Sequence, residues 1–197
     1  AEEAEFDGSR VFSPKAGKEI SLSAIGYASY DGHNRCISAY ESHSSPISPP
    51  PFMVGMAEID LDPETGKVEV VDYVGAVDCG TVINTNLARV QTEGGIVQGI
   101  GMALYEDIQY SPSGKMENNS FLQYKIPSRL DVGKIRIEFE SSYEPTGPFG
   151  AKSIGELVIN TPAPAIMNAL YNATGLFFDT LPVRSEDIAM ALLDKKA

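Results

Sequence analysis

The chain has 197 residues, 43% of them hydrophobic and 21% charged, enough for a substantial core and unlike a disordered polymer. Its formal net charge of -12 leaves no basic face for nucleic acid or an anionic membrane surface. No apolar run approaches the roughly 18 residues that cross a bilayer. The first residues show neither a basic nor an apolar leader segment, so a cytoplasmic protein is expected.

In chain order, residues 1–17 read as a polar lead-in with "SPKAGKE" as a turn. "EISLSAIGYASY" (Glu19–Tyr30) suits a short helix or strand, with Ser23, Gly26 and Ser29 weakening both. "ESHSSPISPPPF" (Glu41–Phe52) carries four prolines and must be a loop or extended connector, because proline fixes φ and removes a donor. The expected organisation is therefore a lead-in and Pro-rich connector over 1–51, then a domain over 52–197.

The pattern changes at residue 52. "MVGMAEIDLD" alternates Val54, Met56, then Ile59, Leu61, with an irregularity at Ala57–Glu58. After "PETG", the run "KVEVVDYVGAVD" resumes with Val68 and Val70, which together predict a hairpin. "KIRIEFESS" alternates Ile135, Ile137 and Phe139 against Lys134, Arg136, Glu138 and Glu140, a strand with one wet face.

Three helices are expected. The first spans about Asn86 to Glu106. The second follows Thr161 as N-cap, with Pro162 at its first position and Gly175 as its C-terminal cap. The third is "RSEDIAMALLDKK", with Ser185 as N-cap and lysines in the last turn. Strands and helices alternate without a βαβ rhythm and no repeat is visible, so the fold class is α+β.

The first helix is unusual because Gly94, Gly95, Gly99 and Gly101 lie within eight positions. At about 0.8–1 kcal/mol each relative to alanine, such residues need compensation. Close approach of another backbone or of a ligand would supply it. Gly95 and Gly99 share a face, and Gln91 sits one turn earlier with an amide that can reach a ligand. No nucleotide fingerprint of the GxGxxG or GxxxxGK[ST] kind occurs in the right context.

Three stretches, taken together, resemble one family. They are "VGAVDCGTVINTNLARVQTEGGIVQGIGMALYED", "FGAKSIGELVINTPAPAIMNAL" and "FFDTLPVRSEDIAMAL". All three are similar to the C-terminal portion of the molybdopterin-binding subunit of the molybdenum hydroxylases, the xanthine dehydrogenase and aldehyde oxidase family. Their order and spacing also agree, from about Phe52 to the end.

The resemblance implies a molybdenum–molybdopterin cofactor bound by a mixed sheet with packed helices. Gln91 matches the glutamine of the "GQ-x-EGG" signature that hydrogen-bonds the pterin, and Gly94 and Gly95 match the glycines beside it. Lys152, Gly155 and Glu156 match "K-x-x-GE", whose glutamate is the catalytic base. The family reaction inserts a water-derived oxygen into a C–H bond of an N-heterocycle, purine or pyridine in type, or of an aldehyde. A carboxylate within hydrogen-bond reach can take the proton of that oxygen.

The apolar neighbours Leu157, Val158 and Ile159 would disfavour the charge of Glu156 if they surround it, while Lys152 would favour it if close. The chain departs from the family pattern at Val90 (Gly before the glutamine), at Leu157 (Pro after the glutamate) and at Thr85 (Pro after Ile83-Asn84). The resemblance also implies that the chain is incomplete alone. The rest of the molybdopterin-binding subunit, and partner domains or chains carrying iron–sulfur clusters and FAD, would complete a multi-subunit enzyme. The alternative is a non-catalytic accessory domain of the same fold.

Other candidates are weaker. Cys36 and Cys79 lie 43 positions apart, too few ligands for a cluster or a zinc site, and read as buried free thiols. His33 and His43 flank a loop with no third ligand, so no metal site is expected in this chain itself. No nucleophile elbow occurs.

Overall fold

A computed structural model describes residues 3–31 and 37–196, which form two units, Ala1–Ser44 and Ser45–Ala197. Cys36 and His33 lie outside the described residues.

The first unit is an antiparallel sheet of β1 (Glu5–Phe6), β2 (Arg10–Ser13) and β3 (Lys18–Ser21), followed by α1 (Leu22–Asp31). The turn expected at "SPKAGKE" joins β2 to β3, and the flanking strands add structure to the polar lead-in. Arg10 compensates for its scarcity of apolar residues by bonding the Asp7 carboxylate at 2.9 Å, pairing with Glu19 and lying over the Phe12 ring. Arg10 and the Ser9 donors hold the exposed Asp7 carboxyl below the usual range. The ambiguous stretch Glu19–Tyr30 proves to be both things in turn, the end of a strand and then a helix.

The second unit is built on β4 (Phe52–Leu61), β5 (Val68–Asp78) and β6 (Val132–Glu140), in that spatial order. β4 and β5 form the expected hairpin. Their register shifts between Glu58 and Ile59, where Val71 is the extra residue on β5; β4 itself alternates without a break, and the irregularity expected at Ala57–Glu58 reflects Val54 and Met56 standing on the exposed face. β6 runs parallel to β5, so the sheet is mixed. A parallel neighbour requires a crossover, and α2 (Thr85–Leu104) lies in it.

One face of the sheet is sealed by α2 and by α4 (Pro162–Thr174). The core joins Val70 and Tyr73 of β5 to Ile96 and Ile100 of α2 and to Ile166 and Leu170 of α4. Ile188 of α5 (Ser185–Lys196) completes it. The other face carries Lys134, Arg136 and Glu138 of β6, as the alternation predicted, but also exposed Phe52, Val54 and Met56 of β4.

A single helical turn, α3 (Leu157–Asn160), runs straight into α4. This corrects the expected role of Thr161. Its backbone stays helical between the two, and its side chain caps nothing. The hydroxyl instead accepts from Tyr73 Oη at 2.9 Å and donates to Met53 Sδ at 3.5 Å, which satisfies the phenol of a fully buried tyrosine. Gly175 does end α4, in the left-handed region at φ 69°. α5 begins at Ser185 itself, so the expected N-cap is the first residue inside the helix.

Candidate functional site

The first site element is the N-terminal part of α2. Asn84 caps it, its side-chain oxygen accepting from Leu87 N at 3.0 Å. Along the helix the glycines divide. A Cβ on Gly95 would stand 2.2 Å from Val158 Cγ2, and one on Gly99 would stand 2.6 Å from the Pro162 ring and 2.8 Å from the Ile159 carbonyl oxygen. Both glycines are therefore spent on packing α2 against α3 and the start of α4. Gly94 differs, with nothing within 4 Å of its Cβ position. Gly101 is covered by Glu106 and Pro127.

The second element is the segment from Phe149 to Glu156. It is tied to the end of β5 by Lys152 N donating to Cys79 O at 2.7 Å and Thr81 N donating to Gly150 O at 2.8 Å. Gly80 at φ 70° permits this approach, since a Cβ there would meet Gly150 O at 2.4 Å. Phe149 occupies the left-handed region at φ 55°, a strained state for a side chain of its size, and is exposed.

These two elements meet. Gln91 Nε2 donates to the Gly155 carbonyl at 3.1 Å, joining residues 64 positions apart. Between them opens a hollow of about 660 Å³ whose walls include Leu87, Val90, Gln91, Cys79, Lys152 and Gly155. Ile83, Leu87 and Val90 are each about two-thirds exposed around it (63%, 67% and 66%).

Of the residues expected at a site, Gln91, Lys152 and Gly155 thus line one hollow. Glu156 follows Gly155 directly at the start of α3; it is exposed, and its carboxylate makes no hydrogen bond or ion pair among the described residues. Its apolar neighbours do not all surround it, because Val158 is fully buried beneath Gly95. Lys152 forms no pair with it either. The ammonium lies 2.5 Å from Asp78 Oδ2 and 5.3 Å from the centre of the Phe52 ring.

Sequence reasoning missed Asp78. Lys152, then Ser142 and Gly80 N, hold its carboxyl down at about 2. The available signal was an acid closing a strand directly after the acid-free run Val74–Val77. Burial pushes the Cys79 thiol up, which leaves it protonated and inert at neutral pH. Among the described residues, no group of three His, Cys, Asp or Glu side chains converges to hold a metal ion, and no helix is long and apolar enough to cross a membrane.

A mixed sheet sealed on one face by helices, with an open, mostly apolar hollow at one end, defines an α+β domain with a candidate small-molecule site. Comparison with known proteins supplies the family. Residues 1–133 match the molybdopterin cofactor-binding domain family. Over 167 residues the chain is 33% identical to the putative xanthine dehydrogenase molybdenum-binding subunit of Escherichia coli K12, covering 84% of this chain and 22% of that protein. Over 141 residues it is 37% identical to the 6-hydroxypseudooxynicotine dehydrogenase complex subunit gamma of Paenarthrobacter nicotinovorans, covering 70% and 18%.

Among solved structures, the aldehyde oxidoreductase of Desulfovibrio gigas aligns with TM-score 0.67 and 32% identity over 73% of this chain and 15% of its own. A Cu,Mo-CO dehydrogenase shares the fold with TM-score 0.77 at 22% identity, over 98% of this chain and 25% of its own. The chain belongs to the molybdopterin cofactor-binding domain family, with molybdenum-binding subunits of the xanthine dehydrogenase and aldehyde oxidase type among its relatives. It spans about a fifth of the length of the curated relatives it matches.

Proposed function

We propose that this chain is one portion of a molybdenum hydroxylase, contributing part of the cofactor surface and, in Glu156, the general base. The observation that supports the reading is the bond from Gln91 to Gly155, which brings the expected pterin contact to the residue directly before the expected base, beside a hollow lined by both Gln91 and Gly155.

The residues present suit the cofactor's organic part. A Gln side chain has two N–H donors and an acceptor oxygen. One N–H is used on Gly155, which leaves the second and the oxygen for the polar edge of a heterocycle. The volume falls in the range of small-molecule sites, roughly 300–1,000 Å³. Lys152 and Gly155 form wall, while Gly94, outside the hollow's lining, has open space at its Cβ position. Gly95 supports the same surface from beneath by letting α3 close on α2.

When bound, the cofactor supplies the redox chemistry that removes two electrons from a substrate C–H bond. Glu156 takes the proton released as the water-derived oxygen bonds to the substrate carbon. Its freedom from ion pairs among the described residues keeps it available for that transfer. The names of the relatives span xanthine, 6-hydroxypseudooxynicotine and an aldehyde, which points to an N-heterocycle or an aldehyde as substrate. The remaining walls, and domains or subunits bearing iron–sulfur clusters and FAD, come from outside this chain. A cytoplasmic setting suits the free, buried thiol of Cys79.

The competing reading, an accessory domain that binds no cofactor, draws on the exposure of Glu156. Glu156→Gln in the complete enzyme separates the two. Loss of a positioned base should slow turnover about 10²–10⁴-fold with cofactor content retained. Turnover near wild type would leave the accessory reading standing.

A further inference from the structure

We infer that Asp78 is a positioning residue for the segment carrying Glu156, acting through Lys152. The inference rests on Glu156 being the base and adds a group that sets where the base stands.

Asp78 ends β5, and its carboxylate gathers donors from three separate stretches. Lys152 Nζ lies 2.5 Å from Oδ2, while Ser142 Oγ at 2.6 Å and Gly80 N at 3.0 Å both donate to Oδ1. The ion pair is largely out of water, with side-chain exposures of 8% for Lys152 and 22% for Asp78. Such a pair is held firmly, because neither partner can be left alone in that setting without a large penalty.

The geometry makes Lys152 one of two pins. Its side chain is fixed by Asp78 and the Phe52 ring, and its N–H by Cys79 O. The second pin is Gly155, whose carbonyl accepts from Gln91. Only Ser153 and Ile154 lie between the pins, and Glu156 comes next. The three steps from 152 to 155 span at most about 10–11 Å, so releasing one pin changes where the next residue can stand. Removing the Asp78 charge leaves an unpaired ammonium in a mostly buried place. The side chain must swing toward water and draw its backbone with it.

The test uses the complete holoenzyme bearing this chain, in the variants Asp78→Asn, Asp78→Glu, Lys152→Met, the Asp78→Asn/Lys152→Met pair, and Glu156→Gln as reference. Displacing a reacting group by about 1 Å costs on the order of 100-fold, so Asp78→Asn should lower kcat about 10–100-fold while KM and molybdenum content stay near wild type. Asp78→Glu, which keeps the charge, should recover much of kcat. The double variant should be no slower than the slower single, because both act on one pin. In cofactor-free protein, amide hydrogen exchange over residues 153–157 should quicken in Asp78→Asn and return toward wild type in Asp78→Glu.

Several results overturn the inference: unchanged kcat in Asp78→Asn, a double variant whose losses multiply, or losses of kcat that merely track losses of molybdenum. If Asp78→Asn does not fold, Asp78→Glu and Lys152→Met decide, since unaltered exchange in Lys152→Met removes the pin. A slow Glu156→Gln beside a fast Asp78→Asn defeats this inference alone; a fast Glu156→Gln defeats the base assignment beneath it.

Discussion

The two ends of α2 are made of similar residues and meet opposite fates. Toward its C-terminus, Ile96 and Ile100 are fully buried, and Gly95 and Gly99 let α3 and α4 close to van der Waals contact. Toward its N-terminus, Leu87 and Val90 are about two-thirds exposed beside an open hollow. A helix gains from burying apolar surface wherever it can, at roughly 25 cal/mol per Å². The difference teaches that the chain finishes its own core at one end and leaves apolar wall at the other, which suits a surface that other parts of a larger protein complete.

The sharpest way to break this comparison is to fill the sealed end. Gly99→Val places branched carbons against the Pro162 ring and the Ile159 carbonyl oxygen, neither of which can rotate away. Overpacking of this kind costs about 1–3 kcal/mol, and denaturant unfolding of the chain should show a loss at or above the top of that range. An unchanged midpoint would mean that α2 and α4 are free to part.

A smaller effect belongs to acid. The Asp78 carboxyl is held at about 2, below the ordinary value near 4. A group with a depressed folded-state pKa adds stability that is full above its unfolded value and fades as pH falls through the folded one. The pair should therefore stabilise the chain fully above about pH 5 and lose its share between about pH 4 and 2. After allowance for partial solvent screening, that share is on the order of 1–2 kcal/mol. Unfolding midpoints measured across that window should fall less steeply in Asp78→Asn than in wild type.

The smallest effect is expected at the open end. Leu87→Asn alters a residue whose side chain faces mostly water in this chain, so unfolding should shift by no more than about 0.5 kcal/mol. In the complete enzyme the same change should lower molybdenum content, because it puts a polar group into the wall of the hollow. A large shift in the chain alone would show that the open end is packed after all.

Alternation and punctuation made much of the fold legible. The hairpin, the wet face of β6, and the Gly175 stop all follow from neighbours a few residues apart, and so does the span of α2. The first unit was missed because its sheet depends on Arg10 with Asp7 and Glu19, an arrangement of charges that gives no apolar period. Thr161 was misjudged because its backbone is set by α3 before it, and its hydroxyl serves a tyrosine 88 positions away.

The site divides in the same way. That Gln91, Lys152, Gly155 and Glu156 deserve notice came from resemblance to a family's motifs, which are local runs of sequence. That Lys152 is committed to Asp78, and that Gln91 holds Gly155 in place, was decided only by tertiary structure. Those contacts join residues 74 and 64 positions apart, and a linear pattern has no term for distances closed by a crossover between parallel strands. The sequence by itself determined most element types and the candidate groups on offer; the folded chain determined which charge each group meets and which apolar face stays open.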